Sequence, residues 1–148
     1  MLLVISLLAI LLGLGTIVFT NFARKDQAEV TGAKIISSLS EARAKTLAGY
    51  SLGQVSGLNF GIHFETEYYS LFAGTSFNPN DSLNQKFLLP AGLRINEIFF
   101  PSGNVIFKKI TGDVLNFDAS HNCLILEDQQ SDQQRKICLN KLGVATVE

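Results

Sequence analysis

The chain has 148 residues, with 12 Lys and Arg against 13 Asp and Glu and two cysteines, a length that fits one ordinary domain with little left for a second. A net charge of -1 gives no bulk reason to expect nucleic acid or an anionic surface as partner. Three prolines and the lack of any low-complexity run argue against disorder.

The sequence opens on Met1–Phe19, MLLVISLLAILLGLGTIVF, which carries no charge. About 20 apolar residues in helix cross a bilayer core. Thr20, Asn21 and Phe22 extend the run, so residues 1–22 read as the transmembrane half of a helix. A cleavable signal peptide fits less well, because no basic segment precedes the run and the small-residue cleavage pattern is poor. Arg24 and Lys25 follow the span, which on the positive-inside rule alone would hold the rest of the chain in the cytoplasm.

No proline interrupts the next segment, so residues 23–49 read as the amphipathic continuation of the same helix, about 70 Å long in all. Ala28, Gly32, Ile35, Ile36, Leu39, Ala42, Thr46 and Leu47 recur at steps of three and four and form one apolar stripe. Lys34, Ser38, Glu41 and Lys45 fall on the other side, with Glu41 and Lys45 spaced for an i, i+4 ion pair. Gly49 is placed to stop the helix. Ile35, Ile36, Leu39, Ala42 and Leu47 are the predicted contacts between helix and head.

Residues 50–148 read as an antiparallel β head, so the fold class is α+β, a long helix packed against a β-rich domain. Leu58–Phe64 alternates apolar and polar as a half-buried strand does, and Tyr68–Ala73 returns beside it. Gly74–Lys86 carries Asn78-Pro79-Asn80-Asp81-Ser82 and reads as a solvated loop. Its oxygen-rich side chains suit a hard cation, but its spacing is not that of a calcium-binding EF-hand. Phe87–Leu89 is a short strand. Leu93–Phe100 and Val105–Ile110 flank the turn Pro101-Ser102-Gly103-Asn104. Asn122–Glu127 and Gln134–Leu139 form the last hairpin, and Gly143–Val147 closes the head.

If that hairpin turns about Gln130-Ser131, Cys123 faces Cys138, with Leu124 facing Ile137 on the other side. Directly opposed Cβ atoms are near the reach of a disulfide. A bridge and two buried thiols both satisfy this register, and an oxidising compartment favours the bridge. His63, His121, Cys123 and Cys138 are zinc-type ligands, but no paired spacing joins them. No nucleophile elbow, phosphate-binding glycine loop or H-E-x-x-H is present. The chain is read as a non-enzyme with no cofactor and no evident small-molecule substrate.

The run Met1-Leu2-Leu3-Val4-Ile5-Ser6-Leu7-Leu8-Ala9-Ile10-Leu11 resembles the N-terminal helix of type IV pilins and type II secretion pseudopilins. In that family a basic leader, a processing glycine and a Phe-Thr-Leu-Ile-Glu run precede such a stretch. None of these is present here, and the resemblance implies that they lie upstream of Met1. Ser40-Glu41-Ala42-Arg43-Ala44, Ile98-Phe99-Phe100-Pro101-Ser102-Gly103 and the closing Ile-Cys-Leu strand with Lys141-Leu142-Gly143-Val144 are similar to the FimT and pseudopilin-H group. These matches span most of the chain. They imply a minor subunit of a pilus or secretion pseudopilus, held in the inner membrane with its head outside the cytoplasm. Its partners would be other pilin-like subunits, reached through Leu2, Leu3, Ile5, Leu8, Leu11, Leu12, Gly13 and Gly15, the small residues permitting close helix packing. Two alternatives are a monomeric membrane-tethered binding domain and a DNA-capturing minor pilin, the latter using Lys108, Lys109, Arg135, Lys136 and Lys141 as a basic patch.

Overall fold

A computed structural model describes residues 27–50, 58–115, 117–131 and 133–148. Among them the chain is α+β, with one helix and two antiparallel sheets. Helix α1 covers residues 27–47. The strands are β1 (Phe60–Phe64), β2 (Tyr68–Ala73), β3 (Gln85–Leu88), β4 (Leu93–Ile98), β5 (Asn104–Ile106), β6 (Cys123–Asp128), β7 (Gln133–Leu139) and β8 (Ala145–Val147). The expected continuation of the helix toward Met1 lies outside the described residues.

The stripe on α1 enters the head. Ile35, Leu39 and Ala42 are fully buried, and Ile36 packs beside them half-buried. Burying side chains such as Ile35 and Leu39 contributes about 1.5–3 kcal/mol each. Two positions depart from the expected pattern. Ser38, assigned to the outer side, is buried and its hydroxyl donates to the Tyr69 hydroxyl at 3.4 Å. Leu47, expected to pack into the head, is 46% exposed. Thr46 takes the inward place, because its hydroxyl bridges the Ala42 carbonyl and the Phe60 amide.

The helix ends as Gly49 predicts. Gly49 sits at φ 64°, its amide donates to the Thr46 carbonyl at 3.2 Å, and the Tyr50 amide reaches back to Lys45 at 3.0 Å. This is the doubly bonded glycine stop that satisfies two orphan carbonyls. Glu41 and Lys45 pair at 2.7 Å on the solvent face.

The head holds two four-stranded sheets, ordered β3-β2-β1-β5 and β4-β6-β7-β8. The division arises at Phe100–Gly103. The predicted hairpin between Leu93–Phe100 and Val105–Ile110 does not form, since β4 pairs with β6 and β5 pairs with β1. Pro101–Gly103 makes one tight turn, with Ser102 at φ 53° and Gly103 at φ 67°. Two successive left-handed residues redirect the chain from one sheet to the other. Phe100 anchors the crossing, 5% exposed and stacked on Phe64 at 5.6 Å.

The core lies where the inner faces of both sheets meet α1. Phe60, Ile62, Phe64 and Leu71 come from the first sheet, and Ile95, Leu124, Leu126, Ile137 and Leu139 from the second. Each set follows the two-residue period of a pleated strand. The outer face of the first sheet is also covered. Phe72 is 2% exposed there, and Phe77 from the 74–84 connection packs edge-on to Phe72 at 5.5 Å and stacks on His63 at 3.9 Å. The loop expected to be solvated is therefore pinned to the sheet by one aromatic ring.

Candidate functional site

The last hairpin brings Cys123 and Cys138 together. Their register is direct, with Leu124 opposite Ile137. The Leu139 amide donates to the Asn122 carbonyl at 2.8 Å, so the next pair, Cys123 and Cys138, is the non-hydrogen-bonded kind in which side chains come closest. The Cα atoms are 4.0 Å apart and the sulfurs are joined as a disulfide. Joined cysteines offer no thiolate, which removes half of the zinc-type ligand set.

The two histidines lie in separate settings. His63 Nδ1 meets Asn104 Oδ1 at 2.8 Å and Nε2 meets Glu65 Oε1 at 3.0 Å. His121 Nδ1 meets Asp118 Oδ2 at 2.9 Å and Ser120 Oγ at 3.1 Å. Among the described residues no cluster of three His, Cys, Asp or Glu is arranged to hold a metal.

The Asp118-Ser120-His121 turn contains the residue types of a nucleophilic triad, but its geometry is different. A relay needs the hydroxyl at one imidazole nitrogen and the carboxylate at the other. Here both compete for Nδ1, and the Ser120 hydroxyl donates to Asp118 Oδ1 at 2.6 Å. The Ser120 hydroxyl, the Ser120 amide and the His121 ring lower the Asp118 carboxyl to about 2. The cluster closes a turn and does not poise a nucleophile.

An ionic contact joins β4 and β6 of the second sheet. Arg94 donates to Glu127 Oε2 at 2.7 Å, and Gln134 approaches Oε1 at 3.4 Å. The Arg94 hydrogen bond holds the Glu127 carboxyl below its ordinary range, against the opposing effect of burial.

The five cations weighed as one basic patch separate into two groups. Arg135 and Lys136 lie on β7 and face Glu29 at 3.4 Å and Glu148 at 3.6 Å. Lys108, Lys109 and Lys141 are exposed on two turns at the C-terminal end of α1, where the Val114 amide donates to the Lys141 carbonyl at 3.0 Å. Beside β7, Gly32, Ala33 and Ile36 of α1 and Ile137 and Val147 of the second sheet line a groove of about 290 Å³.

Of the expected assembly residues, Leu2, Leu3, Ile5, Leu8, Leu11, Leu12, Gly13 and Gly15 lie outside the described residues. Among the described residues no helix is long and apolar enough to cross a membrane. Thr31 and Ser38 are buried polar residues of the helix–head seam that lie off the predicted stripe, whereas Thr46 lies on it. The three- and four-residue spacing of Thr31 and Ser38 from Ile35 and Ala42 was the available signal. Ile110, 82% exposed at φ 78°, carried none. Comparison with family models, with curated proteins and with solved structures returns no match.

Proposed function

We propose that the chain is a structural filament subunit of the pilin type, a minor pilin or pseudopilin assembled through its apolar N-terminal segment. The reading is carried by the way α1 joins the head: Ile35, Leu39 and Ala42 are fully buried between two sheets, so the head is built onto its stalk. The sequence leading into that helix is the uncharged run Met1–Phe19. A helix apolar nearly all round is stable in lipid or inside a bundle of its own kind. Transfer from one to the other then depends on packing, which small residues such as Gly13 and Gly15 assist. The Cys123–Cys138 disulfide suits a head outside the cytoplasm, beyond an inner membrane.

A photo-crosslinking residue in place of Leu8 or Leu12 tests this in cells. Adducts with other proteins that carry uncharged N-terminal helices are the expected result. Recovery of a working head from which residues 1–22 have been removed would overturn the reading. The DNA-capture alternative keeps three of its five cations on one end of the head, Lys108, Lys109 and Lys141. A salt-dependent shift assay with Lys108→Ala/Lys109→Ala decides it, since DNA binding unaffected by both changes dismisses that patch.

A further inference from the structure

Two turns at the C-terminal end of α1 repeat one pairing, a lysine followed by an exposed apolar apex. The first reads Lys108-Lys109-Ile110-Thr111-Gly112 and the second Asn140-Lys141-Leu142-Gly143. They lie side by side: Arg43 Nε donates to the Gly112 carbonyl at 3.2 Å, and a Cβ on Gly143 would stand 3.2 Å from that same oxygen. Ile110 is 82% exposed, Leu142 57% and Val144 47%. The half-exposed Leu47 lies over Gly112.

The backbone holds Ile110 outward. Its φ of 78° is one that a β-branched residue rarely adopts. The turn is fixed there, with the Gly112 amide on the Lys108 carbonyl at 2.9 Å and the Lys109 amide on Asn59 Oδ1 at 3.1 Å. A strained residue whose side chain adds almost nothing to the core points to a use outside the fold. Lys108, Lys109 and Lys141 are exposed, and among the described residues no carboxylate lies within ion-pair distance of them. The opposing charges are accounted for. Asp113 is half-buried on the first turn, and Glu41 is paired with Lys45 at 2.7 Å. Asp81, on the 74–84 connection, accepts from its own Leu83 amide at 2.9 Å.

We propose that this Ile110–Leu142 end of the head docks on an anionic lipid bilayer. Apolar apices that protrude need a surface that yields to them. A folded partner would need matching pockets, and a phosphate backbone offers them no apolar contact. A bilayer interface takes them without a preformed site. Ile110 and Leu142 enter the acyl boundary, the lysine stems lie along them, and the ammonium groups stay among the head-group phosphates. Anionic lipid is selected because each lysine near such a surface adds attraction. This end lies about 30 Å from Gln27 at 1.5 Å per residue of helix. On the filament reading the apolar segment that precedes α1 sits in the chain's own membrane, so the bilayer contacted is a second one. The lipid contact itself does not rest on that reading.

The test incorporates the full chain into phosphatidylcholine nanodiscs on beads, which occupies the apolar segment, and reads the capture of dye-filled vesicles. Vesicles of equal parts phosphatidylcholine and phosphatidylglycerol should be held at low salt and released as salt screens the contact. Vesicles of phosphatidylcholine alone should not be held. Lys108→Gln, Lys109→Gln and Lys141→Gln should each weaken capture about fivefold. Ile110→Gly accepts the same φ without strain. Combined with Leu142→Gln it keeps every lysine, and the pair should weaken capture about tenfold. Wild type that holds no anionic vesicles overturns the proposal, as does capture that ignores either the lysines or the apices. Vesicles displaced by short duplex DNA, with the lysines required and Ile110 and Leu142 indifferent, would make this end a nucleic-acid site and overturn it as well. Failure of the filament reading looks different: a chain that stays out of the neutral nanodiscs yet floats with anionic vesicles, through the same lysines and apices, supports the lipid contact. A chain that enters the nanodiscs and captures nothing overturns only the lipid contact.

Discussion

The Phe60 amide donates to Thr46 Oγ1 at 2.9 Å, and the same hydroxyl donates to the Ala42 carbonyl at 2.9 Å. One buried oxygen thus ties the last turn of α1 to the first residue of β1. Replacing Thr46 by Val keeps the shape and leaves the Phe60 N–H without a partner in a site only 1% exposed. An orphaned buried donor costs about 1–3 kcal/mol. Thr46→Val should lower the urea midpoint accordingly, while Thr46→Ser retains most of the wild-type value. Equal midpoints for Val and Ser would show that the bridge carries no stability.

The disulfide closes a loop with a sequence separation of 15. Constraining a loop of that size in the unfolded chain stabilises by about 3 kcal/mol in the chain-entropy account. Cys123→Ser/Cys138→Ser should therefore lower stability by about 2–4 kcal/mol, measured by urea unfolding. Reductant should move the wild type by the same amount and leave the double variant unchanged. A wild type indifferent to reductant would contradict the assignment.

Sheet 2 should respond to acid through Glu127. Its folded-state carboxyl is lowered chiefly by the Arg94 hydrogen bond, so it stays ionised to lower pH in the folded protein than in the unfolded chain. The sign follows from linkage: its stabilisation is fully present above about pH 4.3, the ordinary glutamate value. It is lost as pH falls through the lower folded value. Asp118, lowered to about 2, acts in the same direction. Glu127→Gln should be less stable than wild type at neutral pH, with the difference closing on acidification. A gap that stays constant from pH 7 to below pH 3 would remove Arg94–Glu127 as its cause.

Local pattern made part of this fold legible. The glycine stop at Gly49 follows from one residue after a periodic run, and the Cys123–Cys138 register from the centre of a hairpin. The inward positions of β6 and β7 follow from period-two alternation. Pairing between distant strands was not legible, because Leu93–Phe100, a turn and Val105–Ile110 carry the local pattern of a hairpin although the chain uses them as a crossover. Ser102 and Gly103 decided it through backbone angles that composition does not print. A polar residue was misplaced for a related reason. Ser38 looks like a surface residue until Tyr69 supplies its hydrogen-bond partner. Phe77 sits in a run of turn residues and reveals its role only once β1 and β2 place His63 and Phe72 beneath it.

Two glycines offer a paired test of the packing on either side of the core. A Cβ added at Gly61 would fall 2.6 Å from the Val105 carbonyl oxygen and 2.9 Å from Phe72 Cζ. The first contact is with backbone of the paired strand β5, so the sheet itself must shift. Overpacking of this kind costs about 1–3 kcal/mol. Gly32 lies in α1, and its added Cβ would meet Ile137 Cδ1 at 3.8 Å, an ordinary contact. Alanine there removes the helix penalty of glycine, about 1 kcal/mol, and fills space beside a buried side chain. Gly61→Ala should thus lower the urea midpoint and Gly32→Ala raise it. Destabilisation by Gly32→Ala would mean that α1 lies closer to β7 than an added methyl permits. A neutral Gly61→Ala would mean that β1 and β5 are not held in the register that places Gly61 against Val105.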